Sequence, residues 1–482
     1  MSNICGEELI LRTAYGKKLS ERQCQKLYWA CLEILERTGV LLYEEAAIDL
    51  LKSAGAIING NHARIPSGLV EKAFSTVPRK ITLCDLSGKR SMPIEGRRTF
   101  FGPGADCPYI IDHKDNQRRR AVLGDVVEGV TVCDSLSHLD FVMSMFLPSD
   151  VDQRIADRYQ MEIMLKHSTK PIFFCSTELS GCQIAVEMAE VVAGGARELE
   201  KNPRIACYIN VTTGLRHNKE ALQKLLFLSE KRIPFSYCPN NMGGVTAPIT
   251  VAASMAMWQA GGLVGLVLSQ LKKEGAPFIM PGWGGNMLDM RTTVQPYADP
   301  EKRAQSLDFA HYLGLPMFNQ AGTSDSKAVD QQAAAEAALT LFTDALFGGN
   351  IVHDVGYLES GLSSSLVQLA ICDEIIDWLK AFVKEVEISD ETLCLDLIHE
   401  IGPNGQFMQT THTMENYKKR WYPSLFDRSN YNSWRKKGAK TLRERATEKV
   451  QRILAEPGKS CLPQDAIKDI HAIVERSERE LN

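Results

Sequence analysis

Eight short segments of the chain are apolar along their whole length, and a helix-sized stretch separates most of them from the next. They are TFFGPG (99–104), LDFVMSMF (139–146), PIFFCST (171–177), RIACYIN (204–210), PFSYCPN (234–240), PFIMPG (277–282), LPMFNQ (315–320) and NIVHDV (350–355). A strand with one wet face alternates apolar and polar residues. A strand without alternation is buried on both faces, as in a parallel sheet covered by helices. Eight such units across about 260 residues match a (β/α)8, or TIM, barrel in count and size. The competing α/β solution is an open doubly wound sheet of about six strands, with its ligand crevice where strand order reverses. The count favours the barrel.

Between these strands the apolar spacing predicts helices near 125–133, 153–166, 184–199, 219–230 and 251–272, and an Ala-rich helix beyond Gly322. Ahead of them, residues 19–52 show helical periodicity (Leu27, Trp29, Leu32, Leu35, Leu41, Leu50, Leu51), punctuated by Gly39 and Gly55. KITLCDL and RSMPIEG read as strands of a small sheet. Residues 1–95 are therefore expected to form a helical cap with a minor β element, and 96–400 the barrel. Residues 401–482, with charged helical patterns over 439–454 and 464–480, form a helical appendage packing on the barrel or on a second copy of the chain. A homo-oligomer is expected on that ground.

A net charge of -4 leaves no electrostatic footprint for nucleic acid or an anionic membrane. Thirteen cysteines occur without a CxxC pair, which argues against a zinc ribbon or a disulfide framework and for reduced thiols. No metal site is expected. The most apolar window, 251–271, carries Gln259, Ser269, Gln270 and several glycines, so a buried barrel helix suits it better than a membrane span. The start, MSNICGEELILRTAYGKK, lacks the basic and apolar blocks of a secretion signal, and a cytoplasmic location is expected.

Missing motifs narrow the chemistry. GPGADC lacks the third glycine of a dinucleotide fingerprint, and GTSDSK has neither the spacing nor the Ser or Thr of a phosphate loop. His399-Glu400 has no second histidine at metalloprotease spacing, and no GxSxG elbow occurs.

In a TIM barrel the C-terminal strand exits carry the site. Here those exits supply Gly102, Gly104, Asp106 and Tyr109; Asn210 and Thr212; Asn240, Asn241, Gly243 and Gly244; Trp283, Gly284, Gly285 and Asn286. Gln320, Thr323, Asp325 and Lys327 follow, and then His353, Asp354, Tyr357 and Glu359. Such a rim is rich in Gly, Asn and aromatic rings. Glycine lets backbone approach a ligand closely, and ring faces in a dry pocket attract cations, quaternary ammonium above all. Each residue has a plainer reading. Trp283, Tyr109 and Tyr357 could be packing, Asn240 a turn residue, His353 a satisfied core histidine, and Asp325 with Lys327 a cap for the Ala-rich helix. The aromatic run WYPSLFDRSNYNSW (421–434) reads as a strap docking on a helix sooner than as a cage.

Taken together, FFGPGADCPYIID, STKPIFFCST, PNNMGGVTAP, GTSDSKAVDQQAAAE and RWYPSLFDRSNYNSW resemble the trimethylamine methyltransferase superfamily, in its branch without pyrrolysine. The resemblance covers nearly the whole chain. It implies a TIM barrel that moves a methyl group from a quaternary amine to the cobalt of a separate corrinoid protein, with no tightly bound cofactor of its own. Glycine betaine is the first substrate it suggests, with proline betaine, carnitine and γ-butyrobetaine beside it. On that reading Trp283, Tyr109 and Tyr357 surround the ammonium. His353 and Asn240 hold a carboxylate, Arg291 is the nearest loop arginine for it, and Asp325 and Lys327 shape the floor. His353, Asp325 and Lys327 are the catalytic candidates. Two other classes remain open: a lyase or aldolase using Lys327 as a Schiff base, and a protein that binds quaternary amines without turning them over.

Overall fold

The computed structural model describes residues 16–456, 460 and 462–481. The chain start, where a secretion signal would lie, is largely outside them. Seven parallel strands form one sheet, in the order Phe100–Phe101, Ile351–His353, Met317–Gln320, Phe278–Pro281, Phe235–Pro239, Ile205–Val211 and Ile172–Phe174. The expected eighth strand, 139–146, is extended but irregular, and it joins the two edges. On one side the Val142 N–H donates to the Pro171 carbonyl at 3.0 Å, and the Val142 carbonyl accepts from Phe173 at 3.0 Å. On the other the Asp140 N–H reaches the Phe101 carbonyl at 2.6 Å, while the Asp140 carboxylate takes the Phe101 N–H at 2.8 Å. A side chain thus stands in for one rung of the ladder. The sheet closes into an eight-membered barrel and leaves no open edge, which rules out the doubly wound alternative.

The interior below the C-terminal mouth is packed. An antiparallel hairpin, Ile81–Cys84 with Arg90–Ile94, places Ile81, Leu83, Met92 and Ile94 against Phe100, Phe141, Phe173, Phe318 and Ile351. The Cys84 N–H donates to the carbonyl of Pro203, just ahead of the strand Ile205–Val211, so the hairpin plugs the N-terminal end. What the sequence presented as a minor β element is the barrel floor. Phe141 and Phe173 lie 4.9 Å apart and Phe173 and Phe318 5.6 Å apart, at tilted angles that ring quadrupoles favour.

Helices Glu21–Glu33, Glu45–Ser53 and Ser67–Thr76 all lean on Val251–Lys272. Among the described residues that helix alone is long and apolar enough to cross a membrane, and most of it is buried inside the protein. The helix expected over 184–199 is two, Leu179–Ala193 and Ala196–Lys201, because Gly194 and Gly195 adopt φ of 84° and 127° and turn the chain. A helix at Arg303–Leu313 and the small rim sheet that pairs Tyr109–Ile111 with Arg118–Arg120 had no clear periodic signal. The C-terminal helix Leu442–Ala455 packs on Leu366–Val383 and Leu123–Ser135, and Gln464–Leu481 on Ala156–His167 and Leu179–Ala193. The aromatic run before them is the strap that was expected. Trp421 Nε1 donates to Asp377 at 2.9 Å, and the Phe426 N–H to Glu374 at 3.1 Å, both on Leu366–Val383. Every cysteine among the described residues is a free thiol.

Phe173 is fully buried and touches rings on both sides. Phe173→Ala should cost about 3–5 kcal/mol, read by chemical denaturation. A loss below 1 kcal/mol would mean that the interior collapses onto the gap and is not rigidly packed.

Candidate active site

A cavity of about 360 Å3 lies at the C-terminal mouth. Parallel register brings its walls together: Gln320 sits opposite His353, and Val352 opposite Phe101, so neighbouring strands end level. Tyr208 and Asn210 come from Ile205–Val211, Asn240 follows Phe235–Pro239, and Trp283 follows Phe278–Pro281. Gln320, His353, Asp354 and Tyr357 belong to the last two strands and their exits, and Asp106 to the loop after the first. The loop between Phe278–Pro281 and Arg303–Leu313 contributes Gln295 and Tyr297. No Lys or Arg lines this cavity among the described residues.

The rings form a connected wall. Trp283 lies 5.4 Å from His353, 6.4 Å from Tyr208 and 4.8 Å from Trp258, while His353 stacks on Phe318 at 4.2 Å. The Tyr357 hydroxyl donates to the Ala105 carbonyl at 2.5 Å, which points its ring along the cavity side. The His353 Nδ1–H donates to the Asn319 carbonyl at 2.5 Å. That leaves Nε2 with its lone pair, 3.5 Å from Asp354 Oδ1. Burial lowers the His353 pKa and favours neutral imidazole.

Two carboxyl groups face this space. Asp354 accepts from Gln320 Nε2 at 2.8 Å, and Asp106 from Gln160 Nε2 at 2.9 Å. Burial pushes both above the usual carboxylate range. Both also hold left-handed backbone, φ 67° for Asp106 and 69° for Asp354, which costs a residue with a Cβ roughly 1–2 kcal/mol. Asp354 fits only because residue 104 is glycine: a Cβ there would stand 1.9 Å from Asp354 Oδ1 and 2.5 Å from the Tyr357 ring. A ring-walled hollow holding two carboxyls and no fixed positive charge is suited to a small cation.

The structure brings Asn240, Trp283, His353 and Tyr357 together around this cavity and leaves the other candidates outside it. Tyr109 does not line it; its ring lies under Arg118, whose guanidinium carbon is 3.4 Å from the centroid. Arg291 is exposed and paired with Asp289 at 2.9 Å, because the loop folds its guanidinium back on itself. Lys327 is exposed and donates to the Asp325 carbonyl at 2.7 Å, away from the cavity. A Schiff-base lysine needs a desolvated pocket, so the aldolase alternative loses its residue. Asp325 does not line the cavity either. Its carboxylate accepts the Tyr297 N–H at 2.8 Å and the Ser360 hydroxyl at 2.8 Å, and so holds the loop that carries Tyr297 into the mouth. Sequence reasoning passed over Tyr208, hidden in an apolar strand, and Gln295 and Tyr297, in a loop without a periodic signal. Asp106 and Asp354 stood at strand exits in the sequence, but nothing there showed that they line one cavity.

Fold and site thus define a (β/α)8 protein with a cation-favouring cavity at its catalytic end. The family model described as trimethylamine methyltransferase (MTTB) matches residues 6–482, and the chain belongs to that family. It is 28% identical over 466 residues to trimethylamine methyltransferase MttB of Desulfitobacterium hafniense (strain DSM 10664 / DCB-2), covering 96% of this chain and 94% of that one. It is also 28% identical over 443 residues to a glycine betaine methyltransferase of Desulfitobacterium hafniense (strain Y51), covering 91% and 92%. Among solved structures, the Methanosarcina barkeri monomethylamine methyltransferase (MtmB) aligns with 92% of this chain and 96% of its own, at 10% identity and a TM-score of 0.47.

The raised Asp354 pKa has a signed consequence. An ordinary unfolded Asp titrates near about 3.9, so above that pH the folded carboxyl holds a proton the unfolded one has lost. Stability from this group therefore falls as pH rises. Asp354→Asn should raise the melting temperature at pH 8, with the gain shrinking toward pH 4, in thermal scans of variant and parent. A gain independent of pH would show that ionisation of this carboxyl is not its source.

Proposed function

We propose that this chain is a corrinoid-dependent methyltransferase that removes a methyl group from a quaternary amine. The candidates are glycine betaine, proline betaine, carnitine and γ-butyrobetaine. The observation that carries this reading is the cavity itself: Tyr208, Trp283, Tyr297 and Tyr357 around Asp106 and Asp354, with no Lys or Arg among its described lining residues. A desolvated ring face contributes about 2 kcal/mol to a bound cation. The two carboxyls add attraction, since a cation between them favours their ionised forms.

Demethylating a quaternary nitrogen releases a neutral tertiary amine, so no acid has to protonate the leaving group. The neutral His353, and carboxyls that ionise beside the bound cation, suit that requirement. Trp283 and the tyrosines pack about the ammonium and keep water away, Asp354 is steadied by Gln320, and Asn240 and Asn286 close one side with a 3.1 Å hydrogen bond between their amides. Holding the substrate with one methyl aimed outward can contribute about 7–11 kcal/mol through orientation alone. A corrinoid on its carrier protein supplies the Co(I) nucleophile that accepts the methyl. The outer rim fits an arriving protein: Val245, Ile249, Met290 and Leu362 are exposed apolar side chains on loops at the same end of the barrel.

The test is incubation with cob(I)alamin and each candidate amine, following the demethylated product by mass spectrometry and the cob(I)alamin absorbance. If no quaternary amine is demethylated, the reading fails. Binding without product would leave a non-catalytic amine-binding protein. Trp283→Ala should weaken binding of the amine about 10- to 100-fold in calorimetry, while Trp421→Ala, on the distant strap, leaves it unchanged. Equal losses would put the ammonium elsewhere.

A further inference from the structure

A second chamber, of about 240 Å3, adjoins the first and shares Asp106, Tyr208 and Asn210 with it. Its chemistry is different. Lys224, on the helix Lys219–Lys231, lines it and is only 4% exposed. The Lys224 ammonium donates to the Ser176 carbonyl, and among the described residues no carboxylate comes within 4.0 Å of it. An ammonium has three donors, so two are left over. The hydroxyl of Ser176, in the same wall, is buried without a hydrogen-bond partner.

The Lys224 charge acts on Asp106 and Glu220 from beyond 4.0 Å, and the acids nearby have closer partners of their own. Asp157 pairs with Arg158 at 3.1 Å, and Asp106 accepts from Gln160 at 2.9 Å and Ser144 at 3.4 Å. Burial raises the pKa of both carboxyls, which weakens them as counter-ions. A buried ammonium with spare donors beside an unpartnered hydroxyl is costly unless something anionic arrives. Trp283 and His353 face the first chamber and do not line this one.

We propose that Lys224 and Ser176 form a subsite for the carboxylate of a zwitterionic substrate whose ammonium lies in the ring-walled chamber. This rests on the quaternary-amine reading above and adds a specificity to it. A carboxylate one carbon from the nitrogen stays with the ammonium in the first chamber. A carboxylate on a spacer of several carbons passes along Asp106 and Tyr208 and reaches Lys224. The favoured class is therefore a trimethylammonium carboxylate with a long spacer, ahead of glycine betaine.

Calorimetry on the full chain with γ-butyrobetaine, glycine betaine and butyltrimethylammonium tests this directly. The parent should bind γ-butyrobetaine about 10- to 100-fold more tightly than the carboxylate-free analogue. Lys224→Gln, which keeps a donor for the Ser176 carbonyl, should erase that difference and leave butyltrimethylammonium binding unchanged. Ser176→Ala should reduce the difference by a smaller factor, and Lys224→Arg should restore part of it. The same ratios should appear in KM for demethylation. If the parent does not distinguish the two ligands, or Lys224→Gln preserves the distinction, the subsite is overturned. Carboxylate-dependent binding without methyl transfer keeps the subsite and removes the proposed reaction. Failure of all three ligands to bind overturns both.

Discussion

Two carboxyl groups, the buried Asp354 and the half-buried Asp106, stand at the mouth of the barrel with no Lys or Arg within 4.0 Å among the described residues. Removing a carboxylate from water without a partner is unfavourable, and here left-handed backbone adds to the cost at both positions. Such a site persists only where the surroundings over-determine it. Gln320 and Gln160 supply a hydrogen bond to each, His353 stands beside Asp354, and Gly104 leaves the room that Asp354 occupies. The raised carboxyl pKa values and the affinity for a cation share one physical origin. The cavity desolvates its carboxyls and lacks a positive charge of its own, and a ligand bearing one would relieve it.

The rest of the fold keeps that arrangement in place. Below, the hairpin Ile81–Ile94 fills the barrel so that Phe318 and Trp283 cannot sink inward. Around the ring, the irregular segment 139–146 closes the sheet through Asp140 and Val142. Above, Asp325 is a positioning residue: its carboxylate fixes the backbone of Tyr297, and the Tyr297 carbonyl is held in turn by Arg303 at 2.9 Å. The C-terminal helices bind the outer layer together without lining the cavity. Activity in this chain would thus depend on residues far from the chemistry, because they hold level the strand ends on which the rings stand.

Much of this was legible in the residue order. Unbroken apolar runs such as PFSYCPN pointed to a parallel sheet buried on both faces, and their number favoured a barrel over an open doubly wound sheet; closure through 139–146 decided between the two. Strand exits could be read off directly, and Trp283, His353, Tyr357 and Asn240, all at exits, line the one cavity. Exit position could not reveal direction. Tyr109 stands at an exit but pairs into a rim sheet where Arg118 covers its ring, and Lys327 leaves its strand toward solvent. Arg291 offers a charge by sequence, which its neighbour Asp289 takes up.

The sequence by itself determined the class, helices around buried parallel strands, because burial of apolar runs is a local property summed along the chain. It also determined the character of the rim, since composition at strand ends follows from counting. Only the tertiary structure decided which rim residues share a cavity: Asp106, Tyr208, Tyr297 and Asp354 come from widely separated loops and strands, and their meeting depends on closure, register and one loop held by Asp325. It alone set the second chamber beside the first, with Lys224 buried there and short of partners. Whether a charged side chain is solvated or stranded depends on every neighbour that packs around it, and one dimension does not contain those neighbours.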